Sequence, residues 1–386
     1  FNMKWTHIFM RIIATPGPTH EPPYVREALS AETSNPDLDP EFMTKYIDAR
    51  NMIGEMIGAR GDNVVIWMGE AMSGLEAAVA NLVKPGEEVI SLSNGVFGDY
   101  FSELVRRYGG RPRLIRWDVR HPVDPDELQE ALNESEASIV TMVHCETPSG
   151  VLNPLREVAD AVKRSGKLFV VDAVSSIGAV NIDVKWGIDV LIGGSQKALN
   201  VPAGLTIMAI SDEAWRRIED RKYEGFYLNL LNWRNLESGF PYTHSEPLLN
   251  ALIASLRHIM REGLDEVYKR HIDIRNRVIR AVNAYGLTLV PASMEWASPS
   301  VSAFYLPTGI NDGLLRESMW RKYGVMIGGS LGELSGKVIR IGHMGYTATL
   351  EFMLPTVTAL GMALMDFGLS INLNNAMDAF MGGSKS

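Results

Sequence analysis

The chain has 386 residues, a formal net charge of -9 at pH 7, 46% hydrophobic residues and 22% charged ones. That length exceeds a single compact core and calls for two domains, while the ordinary hydrophobic and charged balance is that of a soluble globular protein. The acidic balance disfavours nucleic acid or an anionic membrane, whose phosphates are bound by clustered Lys and Arg, and a single cysteine, Cys145, leaves no disulfide framework or Cys-rich metal site and suits a reducing cytoplasm.

The opening FNMKWTHIFMRII lacks the basic start, apolar run and small-residue cleavage site of a signal peptide. No stretch approaches the roughly 18 uninterrupted apolar residues that span a bilayer; residues 352–371 come nearest but carry Pro355, Thr356, Thr358 and Asp366. Short apolar runs then alternate with longer amphipathic stretches, the pattern of a mostly parallel sheet covered by helices. Strands are predicted at 64–67, 88–92, 113–117, 138–143, 168–172, 190–193 and 205–210, with crossover helices at 73–83, 100–108, 125–133 and 155–165. Ligands of such sheets bind in the crevice at the strand ends. Beyond about Arg261 the pattern changes to a long polar helix over 263–284, strand-like pieces at 288–290, 301–305 and 338–341, and a closing helix over 353–367. The chain therefore divides into an arm (1–19), a large domain (20–262) and a smaller α+β domain (263–386), with a mobile tail from Met377 to the final GGSKS.

The most informative stretch is IDVLIGGSQKALNVPAGLTIM, residues 188–208. Lys197 follows a buried strand and a small-residue turn and precedes a Pro/Gly loop. A lysine amine is a poor nucleophile at its free pKa of about 10.4. In a partly dehydrated crevice beside other cations it loses its proton more readily and attacks a carbonyl. Asp172 ends the apolar strand KLFVVD, Thr147 lies in HCETPSG, Phe97 in SNGVFGDY, and Arg340 in KVIRIGHMG. Taken singly, each reads as a solvated lysine, a turn former, a turn residue, a core aromatic and a surface arginine.

Together these segments resemble the class V, fold type I aminotransferases, from TPGPT at 15–19 to RIGHMG at 340–345, and within them the alanine/serine–glyoxylate or –pyruvate type. The resemblance implies an α/β fold of the PLP-dependent transferase type, a large domain with a seven-stranded, mostly parallel sheet and a smaller α+β C-terminal domain. It implies a Schiff base between Lys197 and pyridoxal 5′-phosphate, Asp172 on the pyridine nitrogen, Thr147 near the ring hydroxyl, Phe97 stacked on the ring and Arg340 on the substrate carboxylate. Gln196 is placed to donate to a phosphate. Tyr242 and Ser245, in FPYTHSEP, match positions that reach a phosphate across a homodimer interface. His343 reads as a satisfied structural histidine.

One turn departs from the family. Its phosphate rests on a helix N-terminus, within a Ser-Gly-His run, where free N–H groups and the dipole favour an anion. Here the turn reads GEAMSGLEA, with Glu70, Ala71 and Met72 at those positions. Either Glu70 turns away or the ring carries no phosphate. A similar GE turn occurs in the pyridoxamine–pyruvate aminotransferase type, which binds no cofactor and takes free pyridoxamine and pyridoxal as substrates. Two expectations remain open: transfer between a small amino acid (alanine, serine, glycine) and a small 2-oxo acid (pyruvate, glyoxylate) through PLP, or the pyridoxamine–pyruvate reaction. A cysteine desulfurase is disfavoured by the position of Cys145 at a strand end. A non-enzymatic binding protein is disfavoured by the intact set of Lys197, Asp172 and Arg340.

Overall fold

The computed structural model describes residues 11–236 and 239–382. Seven strands form the large sheet: β1 (Val64–Met68), β2 (Glu88–Ser93), β3 (Arg111–Arg116), β4 (Ile139–Val143), β5 (Leu168–Asp172), β6 (Val190–Gly194) and β7 (Leu205–Ile210). Their spatial order is β1-β7-β6-β5-β4-β2-β3, with β7 antiparallel to both neighbours and the other pairings parallel. Apart from the edge strand β3 they are almost wholly buried, because helices cover both faces. Two helices bear on the site: α1 (Ala71–Leu82), after β1, and α2 (Val96–Arg107), after β2. α1 packs so closely on the sheet that a Cβ at Gly74 would stand 2.7 Å from Thr206 and 2.8 Å from Ile192.

Helix α3 (Glu246–Glu262) leads through Gly263, at φ 91°, into α4 (Leu264–Ala284). Val267 and Tyr268 of α4 pack into the large-sheet core, and Ile274 to Tyr285 into a second core. That second core covers an antiparallel sheet of β8 (Thr288–Leu289), β9 (Val301–Tyr305), β10 (Gly328–Gly329) and β11 (Val338–Gly342), in the order β8-β9-β11-β10. Helices α5 (Asp312–Tyr323), α6 (Leu350–Asp366) and α7 (Leu373–Met381) complete it. No helix among the described residues is long and apolar enough to cross a membrane.

Three features differ from the sequence reading. The helices Pro40–Ile57 and α3 were not assigned from the sequence, although each has a polar N-cap followed by proline, Asp39-Pro40 in one and Ser245 ahead of Pro247 in the other. Met377 to Met381 belong to α7, docked by buried Ala376 and Phe380 and by Arg277 and Arg280 donating to the carbonyls of Phe380 and Ala379. This corrects the expected mobile tail as far as Gly382; residues 383–386 and the first ten lie outside the described residues. Finally, Ile12–Ile13 of the arm pair in parallel with Val325–Met326, and Ala14 bonds both Met326 and Gly342, so this part of the arm is stitched into the smaller core.

Candidate active site

The carboxyl ends of β1, β2, β4, β5 and β6 converge on a cavity of about 270 Å³. Lys197 enters it from the turn after β6. The arm crosses above: Thr19 donates its hydroxyl to the Lys197 carbonyl at 2.8 Å, and the lysine Nζ donates to the Pro16 carbonyl at 2.5 Å. Gly17, at φ 102°, has no Cβ for a reason; one would stand 2.5 Å from the lysine Cδ and 2.8 Å from its Nζ. Burial pushes the amine down to about 8, and the positive charge of Arg340 adds to this, against the opposing pull of Asp172 and Glu70. A neutral, nucleophilic amine is therefore accessible near neutral pH.

Asp172 closes β5 and lines the cavity, its Oδ1 accepting from the Val174 amide at 2.8 Å. Burial raises its carboxyl to about 6. A cationic ring nitrogen beside it would draw that value back down. Thr147 and Ser175 share a short hydroxyl–hydroxyl bond, and both line the cavity. Phe97, in the first turn of α2, contributes the aromatic wall.

Arg340 lies in β11 and reaches across from the smaller sheet. Its Nε donates to Gly329 at 2.5 Å and its Nη1 to the Thr147 carbonyl at 3.3 Å. Burial lowers the guanidinium to about 10, with Arg316 as the next cause, while Cys145 and Glu146 oppose the shift. Arg316 is itself tied to Asp312 at 2.9 Å. His343 is satisfied on both nitrogens, by Pro299 and Ser302, and is not part of the site. The Cys145 thiol is buried against Ser298 and pushed up to about 11 by that burial, which removes it as a nucleophile near neutral pH.

The geometry at the first turn of α1 is specific. Glu70 is the N-cap; its Oε2 accepts from the Met72 amide at 2.8 Å and its Oε1 from Gln196 Nε2 at 2.6 Å. Glu70 therefore does not turn away: its carboxylate occupies the helix N-terminus that would otherwise take an anion. Ala71 and Met72 line the cavity beside it. The remaining amide oxygen of Gln196 is buried without a donor.

These elements match a known family. The Aminotransferase class-V model covers residues 15–339. The chain belongs to the class V aminotransferases. It is 32% identical over 379 residues to the pyridoxamine–pyruvate transaminase of Mesorhizobium japonicum, covering 95% of each chain. Identity to the L-aspartate–glyoxylate aminotransferase of Paracoccus denitrificans is 31% over 376 residues, 95% of this chain and 94% of that one. Among solved structures, pyridoxamine–pyruvate aminotransferase from Mesorhizobium loti superposes with a TM-score of 0.92 at 31% identity over 96% of both chains. The alanine–glyoxylate aminotransferase of Nostoc sp. gives 0.88 at 28%, covering 92% and 95%. The fold is thus that of the fold type I transferases, and the protein is an aminotransferase.

Pyridoxal 5′-phosphate is the cofactor implied by membership of this family. The ring end of the aminotransferase's cavity fits it: an acidic group, a hydroxyl pair, an aromatic wall and an amine converge there. The phosphate end fits less well, since a carboxylate and an unpartnered amide oxygen, both acceptors, stand at the helix N-terminus. Tyr242 and Ser245 are not in the cavity wall of the single chain. The Tyr242 hydroxyl donates to Phe226, its ring stacks on Tyr227 at 4.7 Å, and Ser245 caps α3.

Pro16, Gly17, Ser175 and Glu146 join the site only in the tertiary structure. The glycine flanked by prolines in TPGPT was the available signal for the first two. The Ser175 and Glu146 contacts join segments far apart in the chain and leave no local pattern.

Proposed function

We propose that this aminotransferase moves an amino group between a small amino acid, such as alanine, serine or glycine, and a small 2-oxo acid, such as pyruvate or glyoxylate. The observation that carries this reading is the meeting of a depressed amine, Lys197, and a buried acid, Asp172, in one cavity, with the Arg340 guanidinium close enough to lower the amine further. When bound, the pyridine supplies an electron sink for the pair left on the substrate α-carbon. Asp172 holds a proton at the ring nitrogen, which deepens that sink. Arg340 presents paired N–H donors to the substrate carboxylate and fixes which bond at the α-carbon stands across the ring. The Lys197 amine, once free, takes the α-proton and returns it on the ring side. Arg316 is already paired with the Asp312 carboxylate, whereas Arg340 is held by carbonyls and keeps its charge uncompensated, and one such guanidinium favours monocarboxylic substrates. Half-reactions with alanine, serine, glycine and aspartate, followed by absorbance, test this. Turnover of aspartate far above that of alanine would overturn the assignment.

A second reading is favoured by one observation, the Glu70–Met72–Gln196 arrangement. A phosphate dianion placed against that carboxylate is repelled, by about 4 kcal/mol per pair of unit charges at 4 Å and an effective dielectric near 20. A hydroxymethyl group instead brings a donor to two acceptors. In this reading pyridoxamine enters as amino donor to pyruvate and pyridoxal leaves. Borohydride reduction followed by mass spectrometry separates the two. An adduct on Lys197 bearing a phosphoryl group supports the first reading, and an adduct without one, or none, supports the second.

The exposed Phe226 and Tyr227 rings stand against Tyr242, which supports a homodimer in which Tyr242 and Ser245 approach the partner's site. Light scattering at micromolar concentration tests it. A division into a large and a smaller domain is supported by the change of core along α4, which falls between Tyr268 and Ile274 and so a few residues beyond the expected boundary at 262–263; a cytoplasmic location is supported by the lone free Cys145.

A further inference from the structure

Helix α2 carries Phe97 but lacks a cap of its own. Its N-cap is Gly95, whose missing side chain leaves the first-turn amides without a local acceptor. The acceptor comes from a distant segment. Glu146, in the two-residue strand Cys145–Glu146 that follows β4, is fully buried and accepts from the Phe97 amide at 2.9 Å through Oε1 and from the Gly98 amide at 3.3 Å through Oε2. The fit depends on glycine at 95, where a Cβ would stand 2.4 Å from Glu146 Cγ and 2.6 Å from its Cδ. Glu146 directly precedes Thr147, whose hydroxyl lines the cavity and whose carbonyl accepts from Arg340. One carboxylate thus fastens the aromatic wall to the strand end that bears the hydroxyl wall. Burial raises it to about 7, and the two amide bonds pull the other way.

We infer that Glu146 is a positioning residue that sets Phe97 against the pyridine ring, so that ring affinity depends on a contact outside the cavity wall. The inference rests on the reading that Phe97 faces the ring. Stacking is sensitive to offset, and a pair displaced from its favoured geometry loses much of what it contributes beyond burial. E146Q keeps one acceptor oxygen but turns an NH2 group on an amide N–H, so one buried donor loses its partner and α2 shifts at its first turn.

The test is a double-mutant cycle on ring binding, with pyridoxal 5′-phosphate and pyridoxal titrated separately into protein cleared of bound ring and read by absorbance. E146Q weakens binding of the tighter probe roughly tenfold. In the F97A background the same substitution changes binding less than about twofold, because the group it positions is gone. G95A, which displaces Glu146 by a different route, behaves in the same way and covers the case in which E146Q fails to fold. An equal tenfold loss in both backgrounds, or no loss with Phe97 present, overturns the inference. If F97A alone leaves binding unchanged, the stacking reading of Phe97 fails instead, and the two failures are distinguishable.

Discussion

Replacing Glu70 with serine isolates the charge at the first turn of α1. Serine is itself a favourable N-cap, so the Met72 amide keeps an acceptor and folding stability changes by no more than about 1 kcal/mol. What disappears is one negative charge beside the site a phosphate would take, and the partner of Gln196. At 4 Å the lost repulsion is about 1 kcal/mol per unit charge if water screens the pair fully, and about 4 kcal/mol at an effective dielectric near 20. Glu70 is exposed at the cavity mouth, which places the effect between these limits. The ratio of the dissociation constants for pyridoxal 5′-phosphate and pyridoxal therefore shifts toward the phosphorylated ring by between about fivefold and about a thousandfold in E70S. Equilibrium titration of both ligands against wild type and variant reads this ratio directly, and it falls with added salt in the wild type less steeply than a fully exposed pair would. A ratio unchanged within about twofold would mean that Glu70 rotates off the helix terminus at no cost, and would refute the argument.

Four further outcomes are expected. The Lys197 amine becomes predominantly neutral above its lowered value of about 8, so the rate of capturing free pyridoxal rises with pH through that value, and a stopped-flow midpoint near the ordinary lysine value would contradict this. R340L removes a positive charge from that amine and moves the same midpoint upward, besides raising KM for the keto acid. D172N keeps the backbone bond from Val174 but not the charge at the ring nitrogen, and lowers the alanine half-reaction by at least about a hundredfold with thermal unfolding little changed. G17A puts a methyl carbon within 2.8 Å of the lysine Nζ and strains a backbone at φ 102°, so it suppresses kcat at least tenfold (about 1.4 kcal/mol); retention of full activity would remove the arm from the site.

Much of this was legible in the chain itself. Six of the apolar runs fell on the buried strands of the large sheet, because strands buried on both faces read as continuous β-branched and aliphatic segments, while the edge strand β3 (RPRLIR), half exposed, begins two residues before the expected 113–117. The same ordering put Asp172 and Lys197 at strand ends, and strand ends of a parallel sheet open on a shared crevice. The helix Pro40–Ile57 was also in principle readable, since Phe42, Tyr46, Ala49 and Ile53 recur on one helical face.

Which groups meet in that crevice was a different matter. The Pro16 carbonyl on Lys197, separated by 181 residues, the Glu146 carboxylate on Phe97, separated by 49, and the Glu70–Gln196 pair, separated by 126, follow no period and no motif spacing. Local periodicity reports only which side of an element is buried. The partner of a buried polar group is fixed when separate elements dock and every buried donor finds an acceptor. Glu70 shows the division: the residue was visible in the sequence as an oddity at a helix start, whereas the direction of its carboxylate, into the helix terminus and onto Gln196, was decided by the packing of α1 against the turn that follows β6.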